Sequence, residues 1–143
     1  MNVLFVCTGN TCRSPMAQAM LEKMFSARGL SSTADSAGLY AIPGQKTAEN
    51  TLKILDLYYD IKHFDHRAKT CTKEMIDRAD LVIGMTEDHR DLIKNLFGNL
   101  EKIIALPLSV GDPYGGDLAR YKNCSEEIKK GLKMLWEKGV FHD

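Results

Sequence analysis

At 143 residues the chain is long enough for one domain with a core of its own, so a single domain over residues 1–143 is expected. Hydrophobic residues make up 44% and charged residues 27%, a composition typical of globular proteins. Lys plus Arg and Asp plus Glu number 19 each, so no net field attracts nucleic acid or an anionic membrane, and neither is expected as a partner.

The first element is a short apolar run from Val3 to Val6, which is typical of a central parallel strand covered on both faces. It is too short for a signal peptide or a membrane span, and no basic segment precedes it. A helical pattern begins beyond Ser14. The residues from Cys7 to Arg13 are therefore expected to form a loop between the first strand and the first helix.

This loop has the features of an anion-binding site. The N-terminus of a helix presents unpaired N–H groups and the positive end of its dipole, here to the segment from Thr8 to Arg13. Gly9 and Asn10 readily adopt left-handed dihedrals that turn successive N–H groups inward, and Arg13 adds a planar fork of donors. Because the same positive field favours the thiolate of Cys7, the pattern predicts a cysteine nucleophile aimed at phosphorus.

The remaining sequence alternates between helical and strand patterns. Met16, Met20 and Met24 mark the buried stripe of a helix that ends near Gly29. The elements predicted after it are, in order, a strand at Thr33–Ser36, a helix at Thr47–Leu57, a strand at Leu81–Met85, a helix carrying Leu92, Ile93, Leu96 and Phe97, a strand at Lys102–Leu106 and a helix at Asp117–Lys138.

Two of these helices have predicted buried faces. The second helix is expected to bury one side, formed by Ala48, Leu52 and Leu55. The last helix is expected to bury Leu118, Tyr121, Ile128, Leu132, Leu135 and Trp136.

This alternation predicts an α/β fold, a three-layer sandwich with a four-stranded parallel sheet that is doubly wound and flavodoxin-like. The loop after the first strand would then lie at the carboxyl end of the sheet, where open α/β sheets bind ligands.

The four cysteines lack the paired spacing of a disulfide framework, which favours a reducing compartment and hence a cytoplasmic location. No C-x2-C pair and no close His/Cys cluster indicates a metal site. Cys71 and Cys124 are interpreted as structural or surface thiols.

Four motifs in order resemble the low-molecular-weight protein tyrosine phosphatase family, and within it the bacterial protein arginine phosphatase branch. They are Cys7-Thr-Gly-Asn-Thr-Cys-Arg-Ser14, Ser36-Ala-Gly38, His66-Arg-Ala68 and Asp112-Pro-Tyr114. The resemblance covers essentially the whole chain. It implies a two-step reaction through a phosphocysteine on a phosphorylated protein substrate, with no metal and no organic cofactor; the oligomeric state stays open.

The reaction needs a general acid, because attack by a thiolate on a phosphomonoester otherwise expels a poor leaving group. Asp112 is the candidate, since Pro113 fixes a turn and the following glycines let the loop reach over the site. The resemblance further implies that Asp112 activates water in the second step.

The resemblance assigns supporting roles to other residues. Ser14 is expected to donate a hydrogen bond to the Cys7 sulfur, to cap the first helix, or both. Asn10 is expected to orient the loop, with Ser36 and His66 as its hydrogen-bond partners. Tyr40 and Tyr114 are expected to form the aromatic walls of the pocket entrance.

Cys12 has two open interpretations. In the family this neighbour can form a disulfide with the nucleophile and so protect it reversibly from over-oxidation. Otherwise Cys12 is a small residue that packs within the loop.

Thr11 bears on which phosphorylated side chain is the substrate. Family members that act on phosphotyrosine usually carry a larger aliphatic residue there, whereas the arginine phosphatase branch carries threonine. A single tyrosine in the segment Asp112-Pro-Tyr-Gly-Gly116 also departs from the common tyrosine-type loop. Phosphoarginine is therefore preferred and phosphotyrosine is the alternative.

Two other functions fit the sequence less well. Arsenate reductases share this fold and anion loop, but they need relay cysteines, and the stretch from Met85 to Asn99 contains none. A non-catalytic anion-binding module would require neither the thiol of Cys7 nor the acid of Asp112.

Overall fold

The computed structural model describes all 143 residues and contains four strands and five helices. The elements in chain order are β1 (Asn2–Cys7), α1 (Arg13–Ala27), β2 (Thr33–Gly38), α2 (Glu49–Tyr59), α3 (Lys73–Arg78), β3 (Leu81–Gly84), α4 (Glu87–Phe97), β4 (Ile103–Ala105) and α5 (Leu118–Glu137). None of the helices is long and apolar enough to span a membrane.

The four strands form one parallel sheet in the order β2-β1-β3-β4. From β1 the chain moves to β2 at one edge of the sheet and then crosses back to β3 on the other side of β1. This arrangement confirms the predicted doubly wound α/β fold. Cys7 ends β1 opposite Gly38 of β2, so the loop after it emerges at the carboxyl edge between two neighbouring strands.

The side chains of β1 alternate between two hydrophobic cores. Val3, Phe5 and Cys7 face the larger core, which α1, α2 and α5 cover. Leu4 and Val6 face the smaller one, beneath α3 and α4. Because successive side chains of a strand point to opposite faces, this alternation places the Cys7 thiol on the side from which α1 begins.

The structure corrects the sequence analysis at α3, which was not predicted. This helix has six residues, too few for an amphipathic repeat to appear, and only Ile76 among them is buried. The sequence feature that marks the start of α3 is its N-cap, Thr72, whose side chain accepts a hydrogen bond from the Met75 N–H.

Leu52 and Leu118 were predicted to be buried but are exposed, and so is Leu96. Leu52 lies on the outer side of α2, whose buried residues are Thr51, Ile54 and Leu55. Leu96 is exposed on α4, where His89 and Ile93 are buried. Leu118 is exposed because it lies in the first turn of α5, which Asp117 caps through the Arg120 N–H.

Predicted element ends differ from the observed ones by one or two residues, the usual scale for boundaries. β2 continues two residues past Ser36 to Gly38 and so pairs along the full length of β1.

Gly38 is a site of close approach between β2 and the loop after β1. A Cβ atom there would lie 2.5 Å from the carbonyl oxygen of Thr8 and 3.1 Å from the Cβ of Asn10. The first of these neighbours is backbone, so it has no rotamer through which to move. Only glycine lets the loop pass this close to the end of β2.

We therefore expect Gly38→Ala to lower the free energy of unfolding by roughly 1–3 kcal/mol, the range for overpacking a close contact. Urea unfolding followed by circular dichroism measures the change. Gly111→Ala is the matched control, because a Cβ there meets nothing within 4 Å, and it should shift stability by less than about 0.5 kcal/mol. Equal stability of Gly38→Ala and wild type would contradict this packing argument.

Candidate active site

A pocket of about 260 Å³ lies at the carboxyl end of β1. It is lined by the loop from Cys7 to Arg13 together with Tyr40, Ile42, Gln45, Asp112 and Tyr114. A groove of about 810 Å³ between α1, α2 and α5 is larger, but it lacks a cysteine and every predicted site residue. We therefore place the candidate active site at the smaller pocket.

Two donors converge on the sulfur of Cys7, which is 2% exposed. The Oγ atom of Ser14 lies 2.7 Å from Sγ, and the backbone N–H of Asn10 donates to the same sulfur at 3.3 Å. Hydrogen bonds to an ionised group favour its charged form. Both donors are therefore placed to stabilise negative charge on this sulfur.

The direction of the Ser14 hydrogen bond follows from Asn10. The Oδ1 atom of Asn10 accepts from the backbone N–H of Lys69 at 3.0 Å, and because a backbone N–H can only donate, the amide orientation is fixed. The Nδ2 atom then donates to Ser14 Oγ at 2.9 Å and to Ser36 Oγ at 3.0 Å. Since Ser14 accepts from Asn10, its own proton is free to point at Cys7.

The network extends on both sides of Asn10. His66 contacts Asn10 Oδ1 through Nε2 at 3.0 Å, and Ser36 donates to Gln18 Oε1 at 2.6 Å. Burial, followed by the charge of Lys69, lowers the pKa of His66, so the ring is neutral at pH 7 and donates from Nε2. Gln18, which the sequence analysis missed, orients Ser36 from within α1.

Ser14 does not cap α1. The helix begins at Arg13, Cys12 stands at the N-cap position, and no side chain there accepts a cap hydrogen bond. Of the two roles predicted for Ser14, the structure is compatible only with the contact to the Cys7 sulfur.

The backbone of the loop leaves several donors free. The amides of Thr8, Gly9, Thr11 and Cys12 make no hydrogen bond within the protein, whereas the carbonyls of Cys7, Thr8 and Thr11 accept from Leu39, Tyr40 and Ala48. Asn10 adopts φ 60, the left-handed conformation that turns the chain at this point. Carbonyls held outward and free amides around a thiol form an anion-binding nest.

Arg13 supplies the fixed positive charge. Its side chain is 9% exposed, Nη1 donates to the carbonyl of Val110 at 3.1 Å, and Nη2 lies 3.8 Å from Asp112 Oδ2. One side of the guanidinium is therefore anchored to the segment that carries the predicted acid. Asp112 itself is half-exposed and accepts at Oδ1 from the Tyr114 N–H at 3.1 Å.

The walls of the pocket differ in exposure. Tyr40 and Tyr114 are 70% and 68% exposed at its mouth, and Thr11 is 6% exposed. Ile42 and Gln45 also line the mouth and were not predicted. No group of three or more His, Cys, Asp or Glu side chains is arranged to hold a metal ion.

The four cysteines are all buried and free. Burial raises the pKa of Cys71 to about 11 and that of Cys124 to about 12, so both are unreactive thiols at pH 7. The prediction of structural thiols thus agrees with their burial, and neither is a surface residue. Cys12 contacts Tyr121 Oη at 3.3 Å, and its pKa is also raised by burial.

His89 is a further residue that the sequence analysis missed. It lies in the first turn of α4, and its Nε2 is 2.9 Å from Thr8 Oγ1 in the loop. The available signal was positional, because β3 neighbours β1 in the sheet and a polar Thr-Glu-Asp-His segment follows the end of β3.

Comparisons with known proteins identify the chain's relatives. Residues 2–140 match the family model described as low molecular weight phosphotyrosine protein phosphatase. The chain is 35% identical to a protein-arginine-phosphatase of Bacillus subtilis, covering 94% of each chain.

Two solved structures are also similar. A YwlE arginine phosphatase, solved as a C7S mutant with a phosphorylated active site serine, superimposes with a TM-score of 0.88 at 33% identity, covering 96% of this chain and 95% of that one. A low molecular weight protein tyrosine phosphatase from T. tengcongensis superimposes with a TM-score of 0.90 at 37% identity, covering 96% and 99%.

Cys7 and Cys12 line the same pocket, and the possible disulfide between them leads to a redox prediction. Peroxide should oxidise Cys7 to a sulfenic acid, which Cys12 then attacks to form a disulfide and release water. Because burial raises the pKa of Cys12, its thiolate fraction increases with pH, and disulfide formation should be faster at pH 9 than at pH 7.

Mass spectrometry of the alkylated, peroxide-treated protein measures the linkage. The Cys7–Cys12 linkage should form unchanged in Cys71→Ala. In Cys12→Ala, which lacks the second thiol, peroxide should oxidise Cys7 further to a sulfinate. A bond from Cys7 to Cys71 or Cys124 would contradict the pairing.

Proposed function

The chain belongs to the low molecular weight phosphotyrosine protein phosphatase family and is therefore a phosphatase, and we propose that it removes phosphate from arginine side chains of proteins through a phosphocysteine. The observation that carries the proposal is the convergence of the Cys7 thiol, free loop amides and Arg13 in one pocket whose inner wall includes Thr11. Phosphorylated proteins are thus the proposed partners.

In the first step Cys7 attacks phosphorus. The loop amides and the guanidinium of Arg13 bind the three phosphoryl oxygens and stabilise their developing charge. The Ser14 hydroxyl and the Asn10 N–H stabilise the sulfur before attack and again as it leaves. Asp112 delivers a proton to the departing nitrogen, so that arginine leaves as a neutral guanidine.

In the second step water hydrolyses the phosphocysteine. Asp112 has just lost its proton and acts as the base that activates the water, while Cys7 leaves as a thiolate. A half-exposed carboxylate near Arg13 Nη2 is accessible to both a leaving group and water. The C7S relative with a phosphorylated active site serine supports an intermediate at this position.

The preference for phosphoarginine depends on Thr11 and on the relatives. Thr11 lines the pocket with a small side chain whose hydroxyl lies 3.6 Å from Cys12 Sγ, and a short polar wall suits a guanidinium better than a phenyl ring. The Bacillus subtilis relative is named a protein-arginine-phosphatase, which agrees with this preference.

Phosphotyrosine is the second candidate substrate. The exposed rings of Tyr40 and Tyr114 flank the mouth of the pocket, where they could stack on a phenyl ring as well as on a guanidinium. The 37% identical relative from T. tengcongensis is a tyrosine phosphatase. These observations make the comparison of the two substrates the decisive measurement.

Other functions have less support. A reductase relay requires accessible, ionisable cysteines beside the nucleophile, whereas Cys71 and Cys124 are buried with raised pKa values. A binding module has no need of a carboxylate at the position of Asp112. Turnover of an aryl phosphate, as opposed to binding of inorganic phosphate alone, separates an enzyme from such a module.

The nucleophile can be tested by trapping. Cys7→Ser should accept a phosphoryl group from substrate and retain it, because a serine alkoxide is a much poorer leaving group than a cysteine thiolate. We expect one stable phosphoserine at position 7, found by mass spectrometry, and loss of multiple turnover. Cys7→Ala should show neither, and label at another residue or turnover by Cys7→Ala would contradict the assignment.

The general acid can be tested with a leaving-group series. Asp112→Asn should slow hydrolysis roughly 10²–10⁴-fold, the range for losing a positioned acid–base group. The loss should be smallest for aryl phosphates with the most acidic phenols, which leave without a proton. Equal losses across the series would show that Asp112 does not deliver the proton.

The substrate preference can be tested at Thr11. An unpaired polar group in a closed site costs about 1–3 kcal/mol, so losing the hydroxyl should change selectivity by about one to two powers of ten. Thr11→Ile should lose kcat/KM on phosphoarginine peptides and retain or gain it on matched phosphotyrosine peptides.

Thr11→Val is the matched control, because it removes the hydroxyl without adding bulk and so separates polarity from size. If wild type already prefers phosphotyrosine, the tyrosine phosphatase alternative replaces the proposal. An unchanged ratio in Thr11→Ile would exclude Thr11 as the selecting residue.

A further inference from the structure

The proposed mechanism makes no use of His89, although this residue is buried beside the nucleophile loop. Its ring lies between two hydroxyls, with Nε2 2.9 Å from Thr8 Oγ1 and Nδ1 2.9 Å from Thr86 Oγ1. The side chain is 8% exposed and joins residues 81 positions apart in the chain. Such a contact links the loop after β1 to the start of α4.

Thr86 determines which nitrogen of His89 carries the proton. It is the N-cap of α4, and its Oγ1 already accepts the backbone N–H of His89 at 3.2 Å. Its hydroxyl proton is therefore available for Nδ1. A neutral imidazole that accepts at Nδ1 holds its proton on Nε2, from which it donates to Thr8.

The surroundings keep the ring neutral. Burial, and next the positive charge of Arg13, lower the pKa of His89 to about 4, while Asp88 and Asp112 oppose the shift. A pKa below its ordinary value means that the ring binds its second proton only in acid. At pH 7 the imidazole therefore has a single N–H to donate.

Thr8 is the residue directly after the nucleophile, and it lines the pocket. Its carbonyl accepts from the Tyr40 N–H at 3.0 Å, which fixes its backbone. Because its hydroxyl oxygen accepts from His89, its hydroxyl proton is directed away from the ring. Thr8 is exposed and lines the pocket, so this proton is free to meet a bound group there.

We propose that His89 is a positioning residue that holds Thr8 so that the Thr8 hydroxyl donates a hydrogen bond to an oxygen of the bound phosphoryl group. The inference rests on the proposed phosphatase function. It adds Thr8 Oγ1 to the groups that donate hydrogen bonds to phosphate, and it gives α4 a role in the site, because α4 carries His89.

The position of α4 is well defined, which such a role requires. A Cβ at Gly84, the last residue of β3, would lie 2.6 Å from the backbone nitrogen of Arg90. The first turn of α4 therefore packs directly on the end of β3. Ile93 anchors the same helix in the smaller core.

The first test reads the tautomer without any enzymatic assay. Long-range ¹H–¹⁵N spectra of the full-length protein at pH 7 should show His89 as a neutral ring protonated at Nε2. Thr86→Ala, which removes the donor to Nδ1, should shift that ring's nitrogen resonances. Thr72→Ala, which removes the corresponding cap of α3, should leave them unchanged. A protonated or Nδ1–H ring in wild type would overturn the inference.

The second test uses kinetics and inhibition by inorganic phosphate. Thr8→Val and His89→Leu should each lower kcat/KM and weaken phosphate inhibition by roughly 10- to 100-fold, the range for losing one hydrogen bond to a charged group. The double variant should be no worse than either single one, because both remove the same donor.

Conservative variants separate positioning from packing. Thr8→Ser keeps the hydroxyl, and His89→Gln places an amide N–H near the position of Nε2, so both should restore most of the activity. Failure of both to do so, or wild-type inhibition by phosphate in Thr8→Val, would overturn the inference. If His89→Leu does not fold, phosphate inhibition of Thr8→Val and the tautomer of His89 in wild type still test the inference. Wild-type protein without turnover would instead refute the phosphatase proposal.

Discussion

The site depends on one buried hydrogen-bonded residue, Asn10. Its carbonyl oxygen is fixed by the Lys69 N–H, so its amide nitrogen must donate to Ser14 and Ser36, and the Ser14 proton is left for the Cys7 sulfur. Each step follows from which atoms can donate and which can accept. Every polar atom of the Asn10 side chain is satisfied, which rigidifies the loop in a low dielectric where an unpaired group would be costly.

The same residue also sets the course of the backbone. With φ 60 at Asn10 the loop turns so that its free amides surround the thiol, and its own N–H reaches the sulfur. That path brings the Thr8 carbonyl and the Asn10 side chain against β2, where only Gly38 leaves room. Asn, which tolerates left-handed dihedrals and offers both a donor and an acceptor, meets both requirements at a single position.

The sequence allowed prediction of the fold and the strand–loop–helix unit, because these depend on local periodicity and on the spacing from Cys7 to Arg13. It did not allow prediction of α3, whose six residues are too few for a periodic signal. Leu52 and Leu118 were wrongly predicted to be buried, since periodicity identifies an apolar stripe but the packing of neighbouring elements decides which part of it is covered. Gln18 and His89 were missed because their partners lie 18 and 81 positions away.

The chain carries no net charge, so its attraction for phosphate must be local. The loop offers uncharged donors, its free backbone amides, together with the guanidinium of Arg13, whose Nη1 donates to the Val110 carbonyl. Burial raises the pKa values of Cys12, Cys71 and Cys124, while the sulfur of Cys7 has two hydrogen-bond donors beside it, the Ser14 hydroxyl and the Asn10 N–H. Cys71 and Cys124 are thus kept unreactive by burial, whereas the buried sulfur of Cys7 faces two hydrogen-bond donors.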